Sequence, residues 1–318
     1  NPYPLFQHQP FEVALTSKIV EVVKYENLDL LHVHYAIPHA SAAYLAKQIL
    51  KKQGIHIPYM TTLHGTDITL VGKEPEFEPT ISFAINQSDI VTSVSRSLKE
   101  ETYRHFKVAK EIRVIPNFVC ISKFNKEQDK CKKDLFAPSG EKVLMHISNF
   151  RKVKRIQDVI KIHSIVNAKI PTRLILIGDG PERSSMERLA REEGVEDSTY
   201  FLGKIKETEK ALCLADVYLM TSETESFGVS ALEALASGVP VISSNTGGIP
   251  EVNTHNTTGF LSKVGDVEDM AKNLSNLLTD NELYTKFSLN ALEKAKQFDI
   301  SNVLPIYENL YDELLSKL

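Results

Sequence analysis

Two carboxylates stand eight positions apart in the stretch Glu225-Ser226-Phe227-Gly228-Val229-Ser230-Ala231-Leu232-Glu233. The apolar run 217–221 before them reads as a strand, and polar turn formers lead from it into a helix with Ser226 as its N-cap. At about 3.6 residues per turn, Glu233 then lies about 80° round and about 12 Å along the axis from Glu225. Two hydroxyl-bearing parts of one long ligand could be gripped in this way. Val229, Ala231, Leu232, Ala234, Leu235 and Ala236 surround Glu233, which predicts a helix buried between layers. A carboxylate there needs a partner: a core Lys or Arg, a narrow polar stripe, or a ligand.

Four cations, Arg151, Lys152, Lys154 and Arg155, follow the apolar run 143–148. At a strand end and helix start, their charge and the first helical amides would attract the same anion, although a solvated basic turn has the same composition. Glycine turns follow two further apolar runs, at Gly178-Asp179-Gly180-Pro181 and Gly247-Gly248-Ile249-Pro250-Glu251. They suit either a tight turn or a close approach to a ligand. Neither a GxxxxGK[ST] loop nor a GxSxG elbow is present, which argues against P-loop NTPases and serine hydrolases. Earlier in the chain, His32, His34, Tyr35 and His39 end one apolar run, and Thr61, Thr62, His64 and Asp67 end the next. Histidines and hydroxyls at strand ends suit a polar acceptor and short proton transfers. Their spacings match no usual zinc pattern, so no metal is expected. His32 and His146 lie inside apolar runs and read as core histidines.

These groups need a scaffold, and 318 residues at 42% hydrophobic and 25% charged composition suffice for two domains. A net charge of -4 argues against a general nucleic-acid binder. Three cysteines without a CxxC pair imply neither a disulfide framework nor a zinc site, and fit a reducing cytoplasm. Short apolar runs at 28–34, 59–64, 90–94, 112–115, 143–148, 173–178, 200–202, 217–221 and 239–243 alternate with helical patterns. That alternation predicts parallel sheets covered on both faces, with ligands beyond the carboxyl ends of the strands. A polar, turn-rich linker at 125–141 separates a domain at 1–136 from one at 142–296, and an amphipathic helix at 297–318 closes the chain.

The EX7E pair, the basic turn, the GDGP and GGxPE turns and the HGTD loop together resemble the family four retaining glycosyltransferases. The resemblance implies an α/β GT-B fold, with two Rossmann-like domains facing a central cleft and the last helix crossing back to the first domain. It implies transfer of a sugar from a nucleotide diphosphate donor, with no cofactor and no obligate metal. The family's first strand and its GGSG-type loop would lie upstream of Asn1. The first domain is therefore expected to be incomplete in this chain, and the activity to belong to the parent protein.

A closer resemblance, carried by residues 34–39, 61–68, 148–159 and 247–252, is to the branch that moves N-acetylglucosamine from UDP-GlcNAc to L-malate in bacillithiol biosynthesis. By it, Lys154 and Arg151 hold the diphosphate, with Asn149 at the position of the family arginine. Glu233 holds the ribose, Glu225 a hydroxyl of the transferred sugar, and the amides of Ser226, Phe227 and Gly228 the sugar or β-phosphate. Lys204 sits beside the uracil, His64 contacts the donor sugar near the reacting carbon, and Tyr35, Thr61 and Thr62 face the malate. Neither nucleic acid nor stable membrane insertion is implied, and a homodimer is left open. Other acceptors, small or lipid, remain alternatives, as do a UDP-sugar epimerase, a hydrolase and a non-catalytic sensor.

Overall fold

The computed structural model describes residues 11–70, 74–124 and 132–316. The chain forms two compact units, residues 1–116 with 303–318, and residues 117–302. The change of unit at 116–117 precedes the polar stretch expected as the linker, of which residues 125–131 lie outside those described. Its reason is local: Val119 forms a parallel bridge to Asp299, and Ile121 N–H donates to Asp299 Oδ2 at 3.1 Å, so the chain joins the second unit before the polar stretch begins.

In the first unit, β1 (Leu31–His34), β2 (Tyr59–Leu63), β3 (Ile90–Ser93) and β4 (Ile112–Val114) form a parallel sheet in that order. Every side chain of β2 is buried, as a parallel strand covered on both faces requires. The helices α1 (Phe11–Glu26), α2 (Ser41–Lys52), α3 (Glu78–Gln87) and α4 (Arg96–His105) connect or flank these strands. Ser95 caps α4, its hydroxyl accepting from Leu98 N–H at 3.0 Å.

In the second unit, β5 (Lys142–Ile147), β6 (Thr172–Ile177), β7 (Thr199–Gly203), β8 (Val217–Met220), β9 (Val241–Ser244) and β10 (Gly259–Ser262) form a parallel sheet of order β10-β9-β8-β5-β6-β7. All nine expected strands are present, and β10 is the one that sequence patterning missed, its apolar run being only Phe260 and Leu261 between Gly259 and Ser262. Around the sheet lie α5 (Ile156–Asn167), α6 (Arg183–Glu192), α7 (Thr208–Leu212), α8 (Val229–Ala236), α9 (Ile249–Val252), α10 (Val267–Thr279) and α11 (Asn281–Lys296). Leu144, Leu174, Leu176, Val217, Leu219 and Ile242 form its core with Val159 and Ile160 of α5 and Leu274 of α10. Asp266 and Asp280 cap α10 and α11.

The last helix, α12 (Ile300–Leu315), packs Val303, Leu310 and Leu314 on Met60, Ile90 and Ile115 of the first unit. Among the described residues no helix is long and apolar enough to cross a membrane. Cys120 is a free thiol.

Candidate active site

In the second unit the order of strands reverses beside β5, from which the chain runs outward through β6 and β7 before returning to β8. In open parallel sheets such a switch point opens a crevice at the carboxyl ends of the strands. Here β5 and β8 pair only through Leu144↔Val217 and Met145↔Tyr218. Beyond that point side chains replace the ladder. The Tyr218 hydroxyl donates to Ile147 O at 3.0 Å and accepts from Ile147 N–H at 3.2 Å, and His146 Nδ1–H donates to Leu219 O at 2.8 Å. His146 is buried, and burial lowers its pKa to about 4, so it is a neutral core histidine as the sequence implied.

The two loops beside this crevice carry the residues singled out from the sequence. Residues 152–154 form a single 3-10 turn, fixed from below by the Thr221 hydroxyl, which lies 3.0 Å from Lys154 O and 2.9 Å from Arg155 O. Arg155, with φ of 50°, starts α5 and pairs with Asp158 at 2.6 Å. Of the four cations it is thus engaged in the local fold. Lys154 points the other way, and its Nζ meets Glu225 Oε2 at 2.5 Å, with 21% and 15% of the two side chains exposed. Arg151 and Lys152 are exposed, and so is Asn149.

The helix after β8 begins later than its sequence suggested. Its N-cap is Gly228, with φ of 95°, and Val229 is the first helical residue. Ser226 is therefore not the cap, and Glu225, Ser226 and Phe227 belong to the preceding loop, so the two carboxylates do not share one helix. Left-handed backbone at Gly228 outweighs the capping preference of Ser226, because Phe227 is drawn into the core against Phe298. Glu233 does lie within α8, half-buried, 3.4 Å from the Thr208 hydroxyl. Burial raises its pKa, opposed by the Thr208 hydrogen bond.

Both glycine turns are explained by chain meeting chain. A Cβ on Gly247 would stand 2.0 Å from Glu225 O, and one on Gly248 2.3 Å from Ser226 O. Gly248 N–H also donates to Glu225 O at 2.9 Å, so the turn after β9 clamps the loop that carries Glu225. A Cβ on Gly178 would stand 1.7 Å from Ser148 O, which seats the GDGP turn against residues 148–150 in the same manner. Lys204, at the end of β7, is exposed.

In the first unit His34 Nδ1 and His64 Nε2 are 2.7 Å apart, and the Tyr35 ring lies 5.2 Å from that of His64. Burial, then the neighbouring His34, lowers the His64 pKa to about 4, so this pair is neutral at ordinary pH. Asp67 is buried and accepts from the amides of Ala36 at 2.6 Å and Gly65 at 3.2 Å, tying the loop after β2 to the loop after β1. Tyr35, His39, Phe77 and Thr80 line one hollow beside them. Thr61 and Thr62 do not face it. Both are fully buried, Thr61 bonded to the Ser88 hydroxyl at 2.8 Å and Thr62 to His32 Nε2 and Thr92 Oγ1 at 2.7 Å each. Position at a strand's end suggested exposure, but in a sheet covered on both faces every β2 side chain points into a layer. Sequence reasoning missed Thr208 and Thr221, hydroxyls with no motif around them, and the pairing of His34 with His64, whose only signal was a shared place after adjacent strands. Among the described residues no group of three or more His, Cys, Asp or Glu could hold a metal ion.

Two family models match the chain: Glycosyltransferase Family 4 over residues 1–123 and Glycosyl transferases group 1 over residues 127–294. The N-acetyl-alpha-D-glucosaminyl L-malate synthase of Bacillus anthracis is 44% identical over 99% of this chain and 82% of its own length. Among solved structures, Anabaena HepE in complex with UDP-glucose superposes with a TM-score of 0.83 at 21% identity, covering 96% of this chain and 84% of that one. A sucrose-phosphate synthase from Thermosynechococcus elongatus gives 0.81 at 23% identity, over 99% and 82%. The chain has the GT-B fold of two parallel-sheet domains and is a glycosyltransferase, belonging to the group 1 glycosyl transferases.

Proposed function

We propose that the enzyme moves N-acetylglucosamine from UDP-GlcNAc to the hydroxyl of L-malate with retention of the α configuration, in the cytoplasm, as the first step of bacillithiol biosynthesis. The observation that carries this function is the 44% identity to the L-malate synthase, which runs through both units. The second unit takes the donor. Lys154 and Arg151 hold the diphosphate beside the β5–β8 crevice, Glu233 the ribose hydroxyls and Glu225 a hydroxyl of the sugar. Asn149, Lys204 and the loop 226–228 complete the donor contacts, and the half-buried setting of Glu233 supports a carboxylate kept for a ligand. On the first unit's side, Tyr35 is assigned to the acceptor and His64 to the donor sugar. Thr61 and Thr62 take no part, since their hydroxyls are spent inside the sheet.

The malate hydroxyl attacks from the face the nucleotide leaves, and the departing phosphate oxygen takes its proton. The chain's residues position the reactants and offset the charge that grows on the β-phosphate. Lys154, Arg151 and the amides of Ser226, Phe227 and Gly228 carry that charge in place of a cofactor or metal ion. A homodimer is compatible with this chemistry.

Incubating the intact protein with UDP-GlcNAc, with and without L-malate, and weighing the products tests it. UDP release that depends on malate, with a product of the mass of N-acetylglucosaminyl malate, is the expected result. Release without acceptor would mark a hydrolase, and binding without turnover a sensor.

A further inference from the structure

The ion pair of Lys154 and Glu225 joins the residue assigned to the diphosphate to the residue assigned to the sugar. We propose that Glu225 competes with the nucleotide's diphosphate for Lys154, so that the spent nucleotide is held less tightly than the intact sugar donor. This inference rests on the donor-site assignment above.

The backbone around the pair is pinned independently of it. Thr221 fixes the carbonyls of Lys154 and Arg155, Glu223 N–H donates to Val153 O at 2.8 Å, and Gly248 N–H holds Glu225 O at 2.9 Å. The ion pair is therefore not needed to hold the loops together. It occupies the groups that a ligand would use. Breaking it without replacement strands two charges that are each about four-fifths buried, which is costly.

A nucleotide sugar replaces both halves, with phosphate oxygens for the ammonium and sugar hydroxyls for the carboxylate. A nucleoside diphosphate alone replaces only the first. It leaves Glu225 without a donor and beside a like charge. Once the sugar has left on the acceptor, Glu225 loses its hydroxyl partners and takes Lys154 back, which favours departure of the nucleotide. Glu225 thereby becomes a specificity residue for the donor over its own leaving group.

Calorimetry with UDP and with UDP-GlcNAc, on the intact protein and on Glu225→Gln, Lys154→Met and the double variant, tests the competition. Glu225→Gln is expected to bind UDP about tenfold tighter, while UDP-GlcNAc gains nothing. In the Lys154→Met background the same change is expected to gain less than about twofold, because there is no ammonium left to release. An equal gain in both backgrounds would reduce Glu225 to a source of plain repulsion and overturn the proposal. So would no gain in either, with Glu225→Ala agreeing. Failure of the unaltered protein to bind UDP at all would instead remove the donor-site assignment, and the competition with it.

Discussion

Single side chains in this protein divide into those the fold consumes and those it leaves for chemistry. Arg155 is bound to Asp158, and Thr61, Thr62 and His146 are bound within the sheets, whereas Lys154 and Glu233 lie half-buried at the carboxyl edge. Glu233→Gln keeps the shape and removes the charge that accepts ribose hydroxyls. Calorimetry is expected to show weaker donor binding, by about tenfold, with an unchanged melting temperature; unchanged affinity would make Glu233 a structural residue. Buried histidines set a pH dependence. His163, bonded to the Ser198 hydroxyl at 2.9 Å, has its pKa lowered to about 4, first by burial. The unfolded chain takes up that proton below about pH 6.5 and the folded one only near pH 4, so this stability is present above about 6.5 and is lost as pH falls toward about 4. Its size is on the order of 3 kcal/mol. Urea midpoints measured from pH 7.5 to 4.5 should fall less steeply for His163→Gln than for the unaltered chain, and parallel slopes would contradict this.

At the scale of elements, strand-end loops set the site and glycines set the loops. The turn after β9 lies against the loop carrying Glu225 so closely that a methyl group at Gly247, where φ is 52°, meets Glu225 O at 2.0 Å. Gly247→Ala should cost about 3 kcal/mol and weaken donor binding, because the loop has to move. Gly54 has φ of 81° but nothing within 4 Å of an added Cβ. Gly54→Ala should cost only the left-handed backbone penalty of about 1 kcal/mol and leave donor binding alone. Thermal denaturation and donor titration of both variants separate close approach from backbone strain, and equal donor affinity in the two would refute the clamp.

For the molecule as a whole, order along the chain is not order in space. The helix α12 closes the chain but covers β2 and β3, with Tyr311 OH 2.8 Å from His32 Nδ1 and Arg113 paired to Glu313 at 2.5 Å. Leu310→Ala empties a site against Met60, Ile90 and Ile115 and should destabilise the first unit by about 3 kcal/mol. Hydrogen exchange should report the loss in β2 and β3, with the amides of β5 and β6 unaffected; uniform loss in both sheets would mean that the units unfold as one.

Nine strands, the parallel architecture and the identity of the residues at the strand ends were legible in the sequence, because apolar runs, glycines and charges are local properties of the chain. The carboxylates Glu225 and Glu233 and the cation Lys154 could be named from it as well. Their geometry could not. Whether Ser226 or Gly228 caps α8 depends on Phe227 finding Phe298, seventy-one residues on, and whether Thr61 faces a ligand depends on which layers cover β2. Only the folded chain brings Lys154 to Glu225, and Gly247 to Glu225 O, since these are contacts between loops after different strands, fixed by strand order rather than by any spacing along the sequence.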